Sequence, residues 1–310
     1  MSTERRRGRD RQAGAQSDLT VWRGRATEAF TSPEYIVAPF DRAVVSWNAT
    51  GPAVFELLVD DNCYCMGEWG PEPRSRKTDA VAVDMLSLRT AARPFRFCVQ
   101  PAQGAAVTLV AVAHWRDGDR REFSATPCAA WGKVLAVPER SQYEEAADPG
   151  KICSPTALAM VLEFHGVRKS TREVAAGVYD HAERIYGNWP FNTAYAHQVS
   201  GMEAFVRRGS ALRDLEAEIE AGRPVIISHK WNDGDLDGAP LPASDGHLIV
   251  VAGFTADGDV VVNDPAGKPG AVRRTYKRRQ VYTTWLERGS GALYCLVPVP
   301  SRSAAQPHPR

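Results

Sequence analysis

Two hydrophobic rhythms divide this chain. Between residues 19 and 127 the apolar positions come in short runs rich in β-branched and aromatic side chains. These are Val44-Val45-Ser46-Trp47, Ala53 to Val59, Phe95-Arg96-Phe97-Cys98-Val99 and Val107 to Ala113, with clusters of Gly, Pro, Asp and Asn between them. Such runs fit a pleated surface and such clusters make turns, so the spacing predicts an antiparallel β-sandwich. A connecting stretch, 128–140, follows, and from there helical and strand-like patterns alternate. Leu158, Val161 and Leu162 recur at i, i+3, i+4, with Gly166 as a stop. Ser170-Thr171-Arg172-Glu173 has the form of a capping box. Leu212, Leu215 and Ile219 mark one face of a helix ending near Gly222. Val225-Ile226-Ile227, Leu248 to Ala252, Val260 to Val262, Val272 to Tyr276 and Leu293 to Val297 read as strands of one sheet. The fold class is therefore α+β, with a sandwich at 19–127 and a mixed unit at 128–300. The polar, aperiodic ends, 1–18 and 301–310, read as disordered. Each unit is long enough to bury a core of its own, so the second is expected to fold separately.

Composition narrows the possibilities. The 310 residues carry 38 Lys and Arg against 37 Asp and Glu. That balance implies no nucleic-acid or acidic-surface partner. Arg5-Arg6-Arg7 is followed by polar residues rather than an apolar stretch, so it is not a secretory signal. The longest apolar runs, such as Val107 to Ala113, are too short to span a bilayer. A cytoplasmic protein is the default expectation. Six cysteines in a chain of this size make no disulfide scaffold. Cys63, Cys65, Cys98, Cys128 and Cys295 read as reduced and structural. Cys63-Tyr64-Cys65 lacks the spacing and the second pair of a zinc site. Asp233-Gly234-Asp235-Leu236-Asp237-Gly238 matches the front of a calcium loop, but Ser244 stands where the loop's closing Glu belongs. It reads instead as a mobile acidic loop over a cleft. No cofactor or metal is implied. Lys277-Arg278-Arg279 reads as a solvated charge cluster, and Trp69 as a packing residue rather than a sugar platform.

The chemistry gathers in the second unit. Cys153 opens the first helix, with Pro155 in its first turn. The positive end of a helix and a nearby imidazolium both favour a thiolate, which is the nucleophilic form. His247 begins the apolar run Leu248 to Ala252, and Gly246 before it leaves room for a substrate backbone. Asp264 follows Val260 to Val262, and the Asp257-Gly258 turn joins the two runs as a hairpin. A hairpin brings the start of one strand beside the end of the next, which makes His247 and Asp264 neighbours. Asn263 is an alternative orienter, but alternation lets only one of the two face His247. Gln142 can donate its amide to a developing oxyanion, together with the Cys153 N–H.

Ser141-Gln142, Cys153-Ser154-Pro155-Thr156, Gly187-Asn188-Trp189-Pro190-Phe191-Asn192, Gly222-Arg223-Pro224-Val225, Gly246-His247 and Asn263-Asp264-Pro265 occur in this order. On these motifs residues 135–300 resemble the peptidase family-39-like cysteine peptidases, relatives of the bacteriocin-processing peptidases and of papain. The resemblance implies a papain-like domain, in which the helix carrying the Cys packs on an antiparallel sheet. It also implies Cys153 as nucleophile, His247 as base, Asp264 as orienter and Gln142 as oxyanion donor. Ser154 departs from the Gly often found after the Cys, and Gln142 lies farther from Cys153 than in the papain pattern. The expected activity is cleavage of a peptide or amide bond through a Cys acyl-enzyme. The alternatives are acyl transfer or amide hydrolysis on a non-protein substrate with the same triad, and an inactive peptidase-like binding module. Ser46-Trp47-Asn48-Ala49 resembles a segment of accessory domains attached to some of these peptidases.

Overall fold

In the computed structural model, residues 18–119, 121–144 and 149–299 are described; the expected disordered ends fall almost entirely outside them. The first unit contains β1 (Leu19–Ala26), β2 (Phe30–Thr31), β3 (Tyr35–Ala49), β4 (Ala53–Val59), β5 (Asn62–Trp69), β6 (Val81–Ala82), β7 (Met85–Pro101) and β8 (Val107–Trp115). All pair antiparallel in the order β1-β8-β3-β7-β4-β5, with β2 and β6 on β7. The expected sandwich is thus one hydrogen-bonded sheet of eight strands. Trp47 of β3 stacks on Phe55 of β4 at 4.0 Å across the strand β7 that lies between them. Alternation sets the apolar face: Phe55, Leu57 and Val59 are buried, whereas Val54, Glu56 and Leu58 are half-buried.

The second unit runs α1 (Cys153–Phe164), α2 (Thr171–Val178), α3 (Trp189–Ser200), β9 (Glu203–Arg208), α4 (Leu212–Glu220), β10 (Val225–Trp231), β11 (Ser244–Phe254), β12 (Val260–Asn263), β13 (Arg273–Tyr276), α5 (Arg278–Tyr282) and β14 (Ala292–Val297). Its strands form an antiparallel sheet in the order β13-β12-β11-β10-β14-β9. The apolar runs in β10 and β11 are continuous because both faces are covered. Ile226, Leu248 and Val250 join α1 in one cluster, whereas Ile227, Ile249 and Val251 join α4 in another. The Ser170 cap appears as expected, with reciprocal hydrogen bonds to Glu173, and α1 ends ahead of Gly166 at φ 84°.

The two units share their cores. Phe191 and Ala194 of α3 lie in the sandwich's aromatic cluster. Val44, Ala113 and Trp115 lie in the cluster around α1, and Leu109 and Ala111 in that around α4. Trp69 is buried in the first of these, 6.0 Å from Phe191. Asn48 and Ser46 of β3 act as a substitute strand for the edge strand β9. Asn48 donates to the Ala204 carbonyl at 2.5 Å and accepts from the Ala204 N–H, and Ser46 accepts from the Val206 N–H. A sheet edge covered in this way is protected from pairing with other chains.

Two readings of individual side chains also change. Arg278 is not solvated: it is buried, 2.8 Å from Glu216 and over the Trp131 ring. Among the five cysteines read as structural only Cys295 is buried; Cys63 is exposed and Cys65, Cys98 and Cys128 are half-buried. Among the described residues no helix is long and apolar enough to cross a membrane.

Candidate active site

Cys153 is the first residue of α1, and its preceding residue Ile152 offers no side-chain cap. The first N–H groups of a helix have no partner within it, so they remain for an anion. The backbone N–H groups of Ser154 and of Leu248 on the facing strand both favour the Cys153 thiolate. Burial alone would keep the thiol protonated. The hydrogen bond and charge of His247, joined by those two N–H groups, outweigh it and hold the thiol below its ordinary value.

His247 lies near the start of β11, which places it at the end of the sheet where α1 begins. Its Nε2 is 2.7 Å from Asp264 Oδ1, leaving Nδ1 for the thiol. Both groups are buried. Burial disfavours the imidazolium, but the Asp264 carboxylate and then the thiolate overcome it, pushing His247 up to about 10. Burial would likewise protonate Asp264, yet the charge and hydrogen bond of His247, with help from Tyr276, hold it down at about 2. The three side chains therefore favour a thiolate, an imidazolium and a carboxylate.

Asp264 follows β12 directly, and the β11–β12 hairpin pairs Val250 with Asn263. Asn263 faces away. Its Nδ2 donates to the carbonyls of Val137 and Pro138, and its Oδ1 accepts from Arg273 Nε. Of the two residues, Asp264 hydrogen-bonds His247 and Asn263 is engaged elsewhere. Gln142 is brought to the same loop. Its N–H donates 2.8 Å to the Pro265 carbonyl, and its buried Oε1 has no partner among the described residues. A Cβ on Gly246 would meet open space, which fits a cleft beside His247.

Several residues of the site carry no signal in the sequence. Tyr276 donates its hydroxyl to Asp264 Oδ2 at 2.7 Å, while the Ala266 N–H reaches Oδ1 at 2.9 Å. Tyr276 ends a strand recognisable by its pattern, but nothing in that pattern says where the phenol goes. Trp231 stands edge-on to His247 at 5.7 Å. His229, the cross-strand partner of His247, is kept neutral by burial and by the His247 charge, down at about 3. Ser154 does not leave the space a Gly would. Its hydroxyl donates to Asn192 Oδ1 at 2.8 Å and lies 3.0 Å from the Tyr294 hydroxyl, all three buried. The half-buried rings of Tyr186 and Trp189 share an apolar cluster with Cys153. Among the described residues no group of His, Cys, Asp and Glu is arranged to hold a metal ion.

Comparison with solved structures gives two examples of distant likeness. One is a C39-like peptidase from Bacillus anthracis, 17% identical, with a TM-score of 0.41, the match covering 54% of this chain and 98% of that one. The other is a double-glycine-motif protease from an AMS/PCAT transporter, solved with its leader peptide. It is 19% identical, with a TM-score of 0.38, over 54% of this chain and 95% of that one. No curated protein matches. The model of the Peptidase_C39 like family matches residues 134–293, which takes in Gln142, Cys153, His247 and Asp264. Over that span, with its Cys-bearing helix packed on an antiparallel sheet, the chain belongs to the Peptidase_C39 like family and has a papain-like cysteine peptidase fold.

Proposed function

We propose that this protein is a thiol hydrolase that cleaves a peptide or amide bond through an acyl-enzyme on Cys153. The observation that carries this reading is the buried His247–Asp264 hydrogen bond beside the half-buried Cys153 at the start of α1, with the carboxylate's second oxygen held by Tyr276. In this reading the Cys153 thiolate attacks the scissile carbonyl. The tetrahedral oxyanion is met by the Cys153 N–H and the Gln142 amide. His247, already protonated, gives its proton to the leaving amine, and the acyl group stays on sulfur. His247, now neutral, takes a proton from water, whose oxygen attacks the thioester. Collapse releases the acid, and the thiolate–imidazolium pair returns. Asp264 keeps the ring oriented and charged throughout.

The test is labelling by a thiol-directed electrophile, such as iodoacetamide, at neutral pH, mapped by mass spectrometry on all six cysteines. Cys153 should react first, and Cys153→Ala should lose the fast phase. An unchanged fast phase in Cys153→Ala would place the reactive thiol elsewhere.

A further inference from the structure

The family match begins at residue 134 and leaves out the sandwich, yet the sandwich holds the helix that backs the nucleophile. The turn between β6 and β7 carries Val83 at φ 61°, a conformation a β-branched residue adopts only under constraint. That turn delivers the buried Asp84, whose Oδ2 accepts the Trp189 N–H at 2.9 Å, at the first residue of α3. Burial pushes Asp84 up to about 7 against the pull of that N–H, so the tie is carried by the hydrogen bond rather than by a fixed charge. A second tie lies alongside. Asp180, fully buried, accepts from the Ser75 N–H of the sandwich and from Asn188 Nδ2, and Asn188 in turn caps the Phe191 N–H. A third is apolar: Phe191 enters the sandwich core 6.1 Å from Trp47 and 6.0 Å from Trp69.

The next residue on α3 is Asn192. Its Nδ2 donates to the Tyr186 and Asn188 carbonyls, and its Oδ1 takes the Ser154 hydroxyl. Tyr294 holds that hydroxyl from the other side. Ser154 directly follows Cys153 in the first turn of α1, so this clamp fixes the backbone from which the thiol projects. A hydrogen bond weakens steeply with misalignment, so the angle of this peptide unit depends on where α3 sits.

We infer that the sandwich is a positioning element of the thiol site: Asp84 seats the start of α3, and Asn192 passes that placement to Ser154 and so to the sulfur of Cys153. The inference rests on the thiol-hydrolase reading but is separable from it. It accounts for Asp84, the Ser75 N–H and the sandwich's aromatic core all meeting the start of α3 or the loop before it, whereas an appended module needs only a linker.

The experiment uses the full chain and follows the rate of Cys153 alkylation against pH. Asp84→Ala should keep cooperative melting, while Cys153 reacts about ten-fold more slowly at neutral pH and its apparent pKa rises by about one unit, as expected when the helix start that favours the thiolate is displaced. Asp84→Asn keeps an acceptor for the Trp189 N–H and should restore most of the rate. Should Asp84→Ala not fold, Ser154→Ala removes the last link without disturbing the interface and should give the same slowing. A folded Asp84→Ala or Ser154→Ala protein with the wild-type profile would overturn the inference, as would equal slowing in Asp84→Ala and Asp84→Asn. Failure of the underlying reading looks different: wild-type Cys153 would then react no faster than Cys295, and His247→Ala would change nothing.

Discussion

Removing one hydroxyl tests how the charged triad is held. Tyr276→Phe deletes the donor to Asp264 Oδ2 and almost no volume. Asp264 and Tyr276 are 0% and 1% exposed, so water does not replace the lost donor. A hydrogen bond to a charged group is worth about 1.5–3 kcal/mol, and an unsatisfied buried acceptor costs a comparable amount. A loss of about 2 kcal/mol corresponds to roughly 3 °C in Tm for a chain of 310 residues. The effect has a pH signature. Asp264 is held at about 2, below its ordinary 3.8, and Tyr276 is one of the groups that hold it there. A depressed carboxylate contributes stability that is present above the unfolded value and lost as pH falls through the folded one. The gap between wild type and Tyr276→Phe should therefore be full above about pH 4 and shrink toward pH 2. Urea unfolding at several pH values between 3 and 7 measures it. A variant with an unchanged midpoint at pH 7, or a gap that widens on acidification, would refute the reasoning.

Other outcomes follow from the same geometry. His247→Ala should abolish peptide or amide turnover, whereas Asp264→Ala should leave a measurable remainder, because orienting a base matters less than having one; a steady-state assay in which His247→Ala keeps full activity would end the triad assignment. His247 sits above its ordinary value, at about 10, so its stabilising contribution is complete below about pH 6.5 and is lost as pH rises through 10. The Tm advantage of wild type over His247→Gln should fall across that range, and a constant advantage would contradict the ion pair. A fragment of residues 130–310 strips the sandwich from Phe191, Ala204 and Val206; it should be poorly soluble or melt without cooperativity, and a cooperatively melting fragment with a fast Cys153 would show that the second unit folds alone.

Local chemistry was legible in the sequence where short-range geometry decides it. A Pro in the first helical turn marked the start of α1, and the Asp-Gly turn made the β11–β12 hairpin readable, which put His247 near Asp264 before any fold was known. Alternation narrowed the orienter to Asn263 or Asp264 but could not choose, because the choice depends on Val137, Pro138 and Arg273 claiming Asn263 from elsewhere in the chain. What pattern could not reach were contacts between residues far apart in sequence. Tyr276, Ser154 with Asn192 and Tyr294, and Asp84 on α3 all act through hydrogen bonds whose partners no period announces. The reading of two separate cores failed to anticipate the sharing for a related reason. Trp47, Trp69 and Phe191 are each ordinary core residues in their own segments, and only the packed structure shows them in one cluster. Arg278 read as surface because its partners, Glu216 and Trp131, come from different elements.

The central claim, that Cys153 hydrolyses amide bonds by way of a thioester, is tested most directly by incubating the purified full-length protein with a peptide library in ¹⁸O-labelled water and analysing the products by mass spectrometry. The account predicts new carboxyl termini bearing ¹⁸O in the wild type and none with Cys153→Ala. Products formed equally by Cys153→Ala, or acyl groups passed to an added amine with no ¹⁸O uptake, would contradict it.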